Sequence, residues 1–340
     1  MLKIGDKKLI GAWAFYDWAN SVYSLVISTA VFPLFYSAIT EGEIVYFLGM
    51  KWEYADTLYS YALSFSFLIV AFMSPILSAI ADYTGNKLKF MKFFCWLGGL
   101  SVIAMYFFKD LNTAWIGIVC TILASIGFWS SVVFYNSYLP EVAHPEEQDA
   151  ISAKGFIYGY TGSIILLIFC LAMILAPGMF GFDLSISQSI LANGSETAIE
   201  KAIETVKNTA SLKAMRVSFI LVGLWWIGFA QVTFKKLPNK IHNRKPAKDF
   251  IWKGFKELQK VWFELKQYPT LKKFLLAFFL LSVGVQTIIL LATIFGSSEL
   301  GLGTINLIVT VLLIQFVAII GAYVFSKISK KYGNFKALKI

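Results

Sequence analysis

The chain has 340 residues, of which 58% are hydrophobic and only 15% are charged, and its formal net charge is +10. A soluble domain of this length would carry about 25% charged residues, so a water-soluble or purely peripheral protein is a poor interpretation. The basic residues lie between long apolar blocks, which is where membrane topology places them, and they do not indicate a nucleic-acid partner.

An apolar block of about 18 residues or more is long enough to cross the hydrocarbon core of a bilayer as a helix, and several blocks of this chain exceed that length. With the shorter third block, we count eight spans. We therefore predict an all-α, polytopic membrane helix bundle of about eight spans. In chain order the predicted helices are 9–39, 57–81, 93–108, much of 111–139, 155–177, 217–234, 274–295 and 304–326.

The positions of lysine and arginine predict the orientation of the chain. If the N-terminus is cytoplasmic, only six of the 30 lysine and arginine residues fall in external loops. This strong bias predicts an N-in topology. We expect an integral protein of a bacterial inner (plasma) membrane with the lipid bilayer as its surroundings, and we predict a monomer.

Two connections are long. The first, 179–213, is predicted to be external and to contain a short surface helix over 195–213. The second, 235–273, is lysine-rich and has apolar residues at helical spacing from Ile251 to Leu265. This pattern favours an amphipathic helix on an anionic leaflet, with calmodulin-like partner binding as the alternative.

The second connection divides the predicted spans into six and two. We therefore assign 1–234 to an N-terminal six-helix bundle, 235–273 to a basic cytoplasmic loop, and 274–340 to the first two helices of an incomplete C-terminal bundle. Weak internal similarity between the first and seventh helices supports this duplicated plan, since repeated halves are common in secondary transporters. A six-plus-six plan predicts four more helices.

Asp17 is the sharpest single signal in the sequence. It lies nine residues after Lys8, roughly 13 Å into the membrane at 1.5 Å per residue. A carboxylate at this depth costs about 3 kcal/mol and requires a cavity, a partner or a proton. Four further polar residues continue a stripe from it along the same helical face: Asn20, Ser21, Ser24 and Ser28. The stripe indicates either a substrate or proton site in a central cavity or a hydrogen-bonded seam between helices.

Other polar residues fall inside predicted spans. Gln286 and Thr287 lie at a comparable depth in the seventh helix, and Tyr135 and Asn136 lie near the cytoplasmic end of the fourth. Each is a candidate for substrate contact, although interhelical hydrogen bonds worth about 0.6 kcal/mol explain such residues equally. We find no catalytic constellation, metal-ligand spacing or cofactor motif, and we predict neither an enzyme nor a bound cofactor.

The segment from Pro75 to Lys89 is predicted to be a gate. It forms a tight internal loop in which Asp82 offers a charge, Gly85 permits a turn and Lys87 is basic. A cluster of charges at such a place can lock one conformation and release another, although an ordinary positive-inside loop is the alternative. Glu141 and Lys154 flank the next internal loop and join the gating candidates. Glycines 155, 159 and 162 are predicted to permit close helix packing.

Four short segments together resemble one known family. They are YDWANS at 16–21, FYNSYLPE at 134–141, SAKG at 152–155 and GVQT at 284–287. They look like the vacuole-effluxer (autophagy-related) branch of the major facilitator superfamily. The resemblance implies twelve helices in two bundles, rocking about a cavity lined by helices 1, 4, 7 and 10. The chain departs from the family pattern at Val283 and Lys330, where members of the family often have acidic residues.

The resemblance and the polar stripe lead to one main hypothesis. We expect a secondary active transporter of a small polar solute by alternating access, with amino-acid efflux as the solute class that the fungal relatives suggest and Asp17 as the site of a coupling proton. The alternatives are an efflux carrier or uniporter for a more apolar compound, and a non-transporting membrane scaffold.

Overall fold

The computed structural model describes residues 4–185, 195–239, 259–260 and 262–337. Within these ranges only the backbone is described at 79–84, 290, 293, 297–298, 304–305, 308 and 334–335. Most of the predicted amphipathic helix at 251–265 therefore lies outside the described residues. So does the side chain of Asp82.

The described chain is almost entirely helical. Its first span is a composite of α1 (Lys7–Val22), a π-helical segment (Tyr23–Val31) and α2 (Phe32–Thr40). A small antiparallel hairpin follows, made of β1 (Val45–Phe47) and β2 (Met50–Trp52). The remaining helices are α3 (Ala55–Thr84), α4 (Lys87–Ala104), α5 (Ala114–Ser137), α6 (Leu139–Val142), α7 (Gln148–Leu175), α8 (Glu196–Phe234), α9 (Pro269–Ser298), α10 (Thr304–Tyr332) and α11 (Asn334–Ala337).

Eight of the described helices are long and apolar enough to span a membrane, which confirms the predicted number. The spans alternate in direction, so the connections fall on two sides. We call the side with the β1–β2 hairpin the hairpin side; it also holds the described residues 105–113, 176–185 and 299–303. The opposite side, the N-terminal side, holds the described residues 85–86, 143–147, 235–239 and 262–268.

Three local features differ from the sequence-based picture. The first span widens into a π-helix, in which the Thr29 hydroxyl donates to the Ser24 carbonyl at 2.8 Å. The helix α3 continues through Pro75 to Thr84, so the predicted gate loop shrinks to Gly85 and Asn86, with Gly85 in the left-handed region at φ 72°. The predicted surface helix is real but continuous with the sixth span, as one 39-residue helix, α8.

The buried core lies mainly within the first six spans. There α1 packs against α7 and α8, α4 packs against α5 and α8, and α3 packs against α5. Glycine allows the tightest of these contacts: a Cβ added at Gly127 of α5 would lie 2.5 Å from the backbone nitrogen of Gly98 in α4. By contrast, α10 packs along α7, and α9 contacts the π-helical segment and α2 on the hairpin side.

Candidate functional site

A side-chain hydrogen bond joins α1, in the first span, to α5. The Tyr135 hydroxyl donates to Asp17 Oδ2 at 2.7 Å, across 118 residues of sequence. Asp17 is partly exposed, whereas Tyr135 is buried. A hydrogen bond to an ionised carboxylate is worth about 1.5–3 kcal/mol, so this pair offsets much of the cost of placing Asp17 within a span.

Trp13 holds Tyr135 in place. Its ring lies parallel to the Tyr135 ring with centroids 4.3 Å apart and an interplanar angle of 12°. Its indole N–H also donates to the Tyr135 backbone carbonyl at 3.0 Å. Trp13 is buried and lies one helical turn before Asp17, so stacking and hydrogen bonding fix the tyrosine whose hydroxyl reaches the carboxylate.

A third helix, α7, packs beside the Asp17–Tyr135 pair. It approaches α1 through a row of glycines. A Cβ added at Gly155 would lie 2.5 Å from Asp17 Oδ2 and 2.9 Å from the Tyr135 hydroxyl. A Cβ at Gly159 would collide with Ser21, and one at Gly162 would lie 3.0 Å from Trp18. The predicted close packing at these glycines is confirmed, and Gly155 also leaves the space that the Asp17–Tyr135 pair fills.

The Asp17 carboxylate has no cationic partner among the described residues. Among the described residues, no lysine, arginine or histidine lies within ion-pairing distance of its carboxylate, and its one described side-chain partner is Tyr135. A carboxylate within a span that lacks a cationic partner is able to bind a proton or the positive group of a solute. The Asp17–Tyr135 pair therefore has the chemistry of an exchangeable cation or proton site.

The other predicted residues of the α1 stripe do not all share one surface. Ser21 and Ser24 are partly exposed, as Asp17 is, whereas Asn20 is buried with an amide nitrogen that has no partner among the described residues. The Asn20 side-chain oxygen accepts a hydrogen bond from Ser21 at 3.3 Å. The residue after Tyr135, Asn136, is exposed and stands apart from the pair.

The two candidates on the seventh span lie apart from the Asp17 pair. Gln286 and Thr287 are exposed on α9 and have no hydrogen-bond partner within the described part of the chain. The main contacts of α9 with the first span involve the π-helical segment and α2, beyond the level of Asp17. The structure brings Asp17 and Tyr135 together but not these two.

Two of the predicted gating residues meet on the N-terminal side. Lys87, at the start of α4, and Glu141, in α6, form an ion pair at 3.1 Å in which both side chains are about one-fifth exposed. Lys154 is not part of this pair; its ammonium lies 5.7 Å from the centroid of the Tyr158 ring. A contact between the first six spans and the last two forms nearby, where Ser329 donates to Asp149 at 3.2 Å.

Comparison with known proteins identifies the family. The profile of the family described as "Vacuole effluxer Atg22 like" matches residues 5–338, nearly the whole chain. The chain belongs to this family. It is 33% identical over 322 residues to an uncharacterized MFS-type transporter, YxiO, of Bacillus subtilis, covering 94% of this chain and 67% of that protein.

Fungal relatives are more distant. Autophagy-related protein 22 of Coccidioides immitis is 21% identical over 427 residues, covering 96% of this chain and 66% of the relative. Autophagy-related protein 22-1 of Penicillium rubens is 24% identical over 351 residues, covering 88% and 58%. The chain thus spans about two thirds of the length of the first of these relatives. No solved structure matches it. Membership and the eight spans together establish a polytopic helical transporter of the major facilitator type.

One residue of the site was missed by sequence reasoning. Trp13 lies four residues before Asp17, on the same face of α1, yet tryptophan is common in membrane helices and gave no polar signal. The spacing alone would have placed it beside Asp17. Its contact with Tyr135 depends on how α5 packs against α1.

Proposed function

We propose that the protein moves a small polar solute across the membrane by alternating access, and that Asp17 binds the coupling proton. The observation that carries this proposal is the 2.7 Å hydrogen bond from Tyr135 to a carboxylate within a span. A purely structural hydrogen bond would be served by two neutral groups, which are less costly to bury than a carboxylate. The carboxylate of Asp17 therefore favours a role in which its charge or its proton is used.

Access to the pair supports a carrier. Asp17, Ser21 and Ser24 are each partly exposed along one face of the first span, so a polar solute can contact them in turn. The contacts of α9 with α2 and the π-helical segment lie on the hairpin side. The last spans also touch the first six on the N-terminal side, where Ser329 donates to Asp149. We propose that rocking of the last spans against the first six exchanges access between the two sides.

Amino acids are the solute class that we propose. The fungal relatives belong to a family described as vacuole effluxers, and an amino acid carries an ammonium group that fits an unpaired carboxylate. In this scheme, Asp17 holds either a proton or the ammonium group of the solute. Exchange of one for the other couples efflux to a proton gradient.

We further propose that the Lys87–Glu141 pair acts in gating by stiffening the N-terminal side of the first six spans. The ion pair joins α4 to the short α6, so both partners belong to the same part of the chain. Its breakage alone would loosen this side rather than separate the last two spans from the rest. A Lys87→Glu, Glu141→Lys double variant should recover the transport lost in either single variant, whereas no recovery would argue against this pair.

The test is counterflow of a pooled amino-acid mixture into proteoliposomes containing the purified protein, with and without a pH gradient. The variant is Asp17→Asn, which keeps the shape of the side chain and removes its charge and its proton. The matched control is Asp183→Asn, at an exposed aspartate outside the spans. We expect gradient-dependent uptake in the parent and the control, and uptake that ignores the gradient or is lost in Asp17→Asn.

Two other outcomes would revise the proposal. Uptake by the parent that is indifferent to the pH gradient would remove proton coupling and leave a facilitated carrier. No counterflow by protein that remains folded, as judged by its thermal midpoint, would remove amino acids as the solute class.

A further inference from the structure

The first span changes its winding partway across the membrane. From Lys7 to Val22 it is an α-helix, in which each N–H bonds to the carbonyl four residues back, but the nine residues Tyr23–Val31 form a π-helix. At the end of this segment the Phe32 N–H bonds to the Ile27 carbonyl, five residues back. Helices of this type are rare, occur mostly as single turns and are frequent at functional sites. A π-helix of nine residues therefore needs a physical cause.

Pro33 supplies this cause. It has no N–H, and inside an α-helix its ring clashes with the carbonyl four residues back, which is that of Thr29. In the structure Pro33 is the second residue of α2, in the first turn, where a proline is tolerated. If the whole first span were one α-helix, Pro33 would lie in its interior, so the wider winding before α2 avoids the clash. The carbonyl five residues before Pro33, that of Ser28, accepts a long hydrogen bond from the Tyr59 hydroxyl of α3 at 3.5 Å.

A second hydroxyl group also bonds to the backbone of the π-helix. The Thr29 hydroxyl donates to the Ser24 carbonyl, five residues back, at 2.8 Å. In an α-helix a threonine hydroxyl reaches the carbonyl four residues back, which here is that of Leu25. Thr29 therefore has an acceptor in either winding. This matters within a membrane, where a backbone or hydroxyl group left without a partner is expensive. A change between the two windings exchanges hydrogen bonds instead of losing them.

The winding decides the direction in which Ser28 points. In an unbroken α-helix the residues four, seven and eleven places after Asp17 lie within about 40° of it around the helix axis. These residues are Ser21, Ser24 and Ser28. In the structure Ser21 and Ser24 are partly exposed, as Asp17 is, but Ser28 is buried, with 7% of its surface exposed. One extra residue in a turn displaces the residues after it by about 100°, which accounts for the burial of Ser28.

From these observations we infer that the π-helix is one of two windings of this segment, and that rewinding as an α-helix turns Ser28 onto the face of Asp17, where it lines the solute path. The inference rests on the proposed carrier function and adds to it a residue that contacts the solute in one conformation only. Pro33 makes the π winding the more stable of the two. Since α9 packs against the π-helix and α2, rewinding also changes the surface that meets the last spans.

The experiment measures how fast the water-soluble thiol reagent MTSET labels Ser28→Cys in the reconstituted full chain, first alone and then combined with Pro33→Ala. The matched control for the second change is Pro75→Ala, at a proline inside the regular helix α3. Ser24→Cys reports the open face, and Thr121→Cys, at a buried threonine of α5, reports general loosening. The unsubstituted chain gives the background from its three buried cysteines. Labelling needs no solute, so its outcome is independent of the counterflow test.

We expect fast labelling of Ser24→Cys and slow labelling of Ser28→Cys and Thr121→Cys. Adding Pro33→Ala should speed the labelling of Ser28→Cys by about ten-fold or more, because it removes the ring clash and restores the N–H that an α-helix uses. Adding Pro75→Ala should leave the rate unchanged. The thermal midpoint of each variant reports whether it is folded.

A milder variant covers the case in which Pro33→Ala does not fold. Tyr59→Phe removes the hydroxyl that donates to the Ser28 carbonyl. This hydroxyl is needed only in the π winding, because in an α-helix the same carbonyl accepts from the Phe32 N–H. Tyr59→Phe should therefore favour the α winding and speed the labelling of Ser28→Cys by about two-fold or more.

Three results would overturn the inference. Labelling of Ser28→Cys as fast as that of Ser24→Cys, in the otherwise unchanged chain, would show that Ser28 already lies on the open face. An unchanged rate in folded protein carrying Pro33→Ala or Tyr59→Phe would show that the winding is fixed. An equal acceleration of Thr121→Cys would assign the effect to a general loosening of the bundle.

Discussion

Replacing Gly155 with alanine adds one methyl group at the centre of the proposed site. The new Cβ would lie 2.5 Å from Asp17 Oδ2 and 2.9 Å from the Tyr135 hydroxyl. The atoms must separate by about 1 Å to reach an ordinary van der Waals distance of about 3.5 Å. Either α7 moves away from α1, or Asp17 turns away from Tyr135.

Both responses have a calculable cost. Forcing α7 outward is overpacking, which typically costs about 1–3 kcal/mol. Turning Asp17 away breaks its 2.7 Å hydrogen bond, worth about 1.5–3 kcal/mol if the carboxylate is ionised. We therefore expect Gly155→Ala to lose about 1–3 kcal/mol of stability, or about 2–4 °C of thermal midpoint per kcal/mol in a domain of 150–250 residues.

The assay combines thermal unfolding in detergent with counterflow into proteoliposomes. Gly11→Ala is the matched control, because Gly11 lies in α1 and a Cβ added there has nothing within 4 Å. We expect the control to match the parent in both assays and Gly155→Ala to fall below it in both. If Gly155→Ala unfolds at the same temperature as Gly11→Ala and transports equally well, the proposed contact of α7 with the Asp17–Tyr135 pair is wrong.

Two further predictions concern single side chains, each measured by thermal midpoint. Trp13→Phe keeps an aromatic ring against Tyr135 but removes the 3.0 Å hydrogen bond to its carbonyl, which still accepts from the Tyr138 N–H at 3.1 Å. We therefore expect a loss of about 0.5–1.5 kcal/mol, whereas Trp115→Phe at a half-exposed position should change little. Arg216→Lys should also lower the midpoint, because the guanidinium donates twice to the Tyr106 carbonyl, at 2.7 and 2.9 Å, and lies 4.5 Å from its ring, which a lysine cannot reproduce. A midpoint equal to that of the parent in either variant would contradict the corresponding contact.

Much of the candidate site was predicted one residue at a time. Asp17 was found because a carboxylate inside an apolar block is rare and costly. Tyr135 was found beside Asn136, and the sequence offered both equally. Successive residues on a helix point about 100° apart, so only the rotation of α5 decides that Tyr135 faces Asp17 while Asn136 is exposed.

The sequence by itself determined the number of spans and their approximate bounds, because the transfer of a segment into lipid is a sum over its own residues. The glycine row at 155, 159 and 162 was likewise readable as a packing face. What the tertiary structure decided were contacts between residues far apart in the chain: Tyr135 with Asp17, Trp13 with Tyr135, and Lys87 with Glu141. These depend on how helices are rotated and spaced against one another, and local composition carries no information on either.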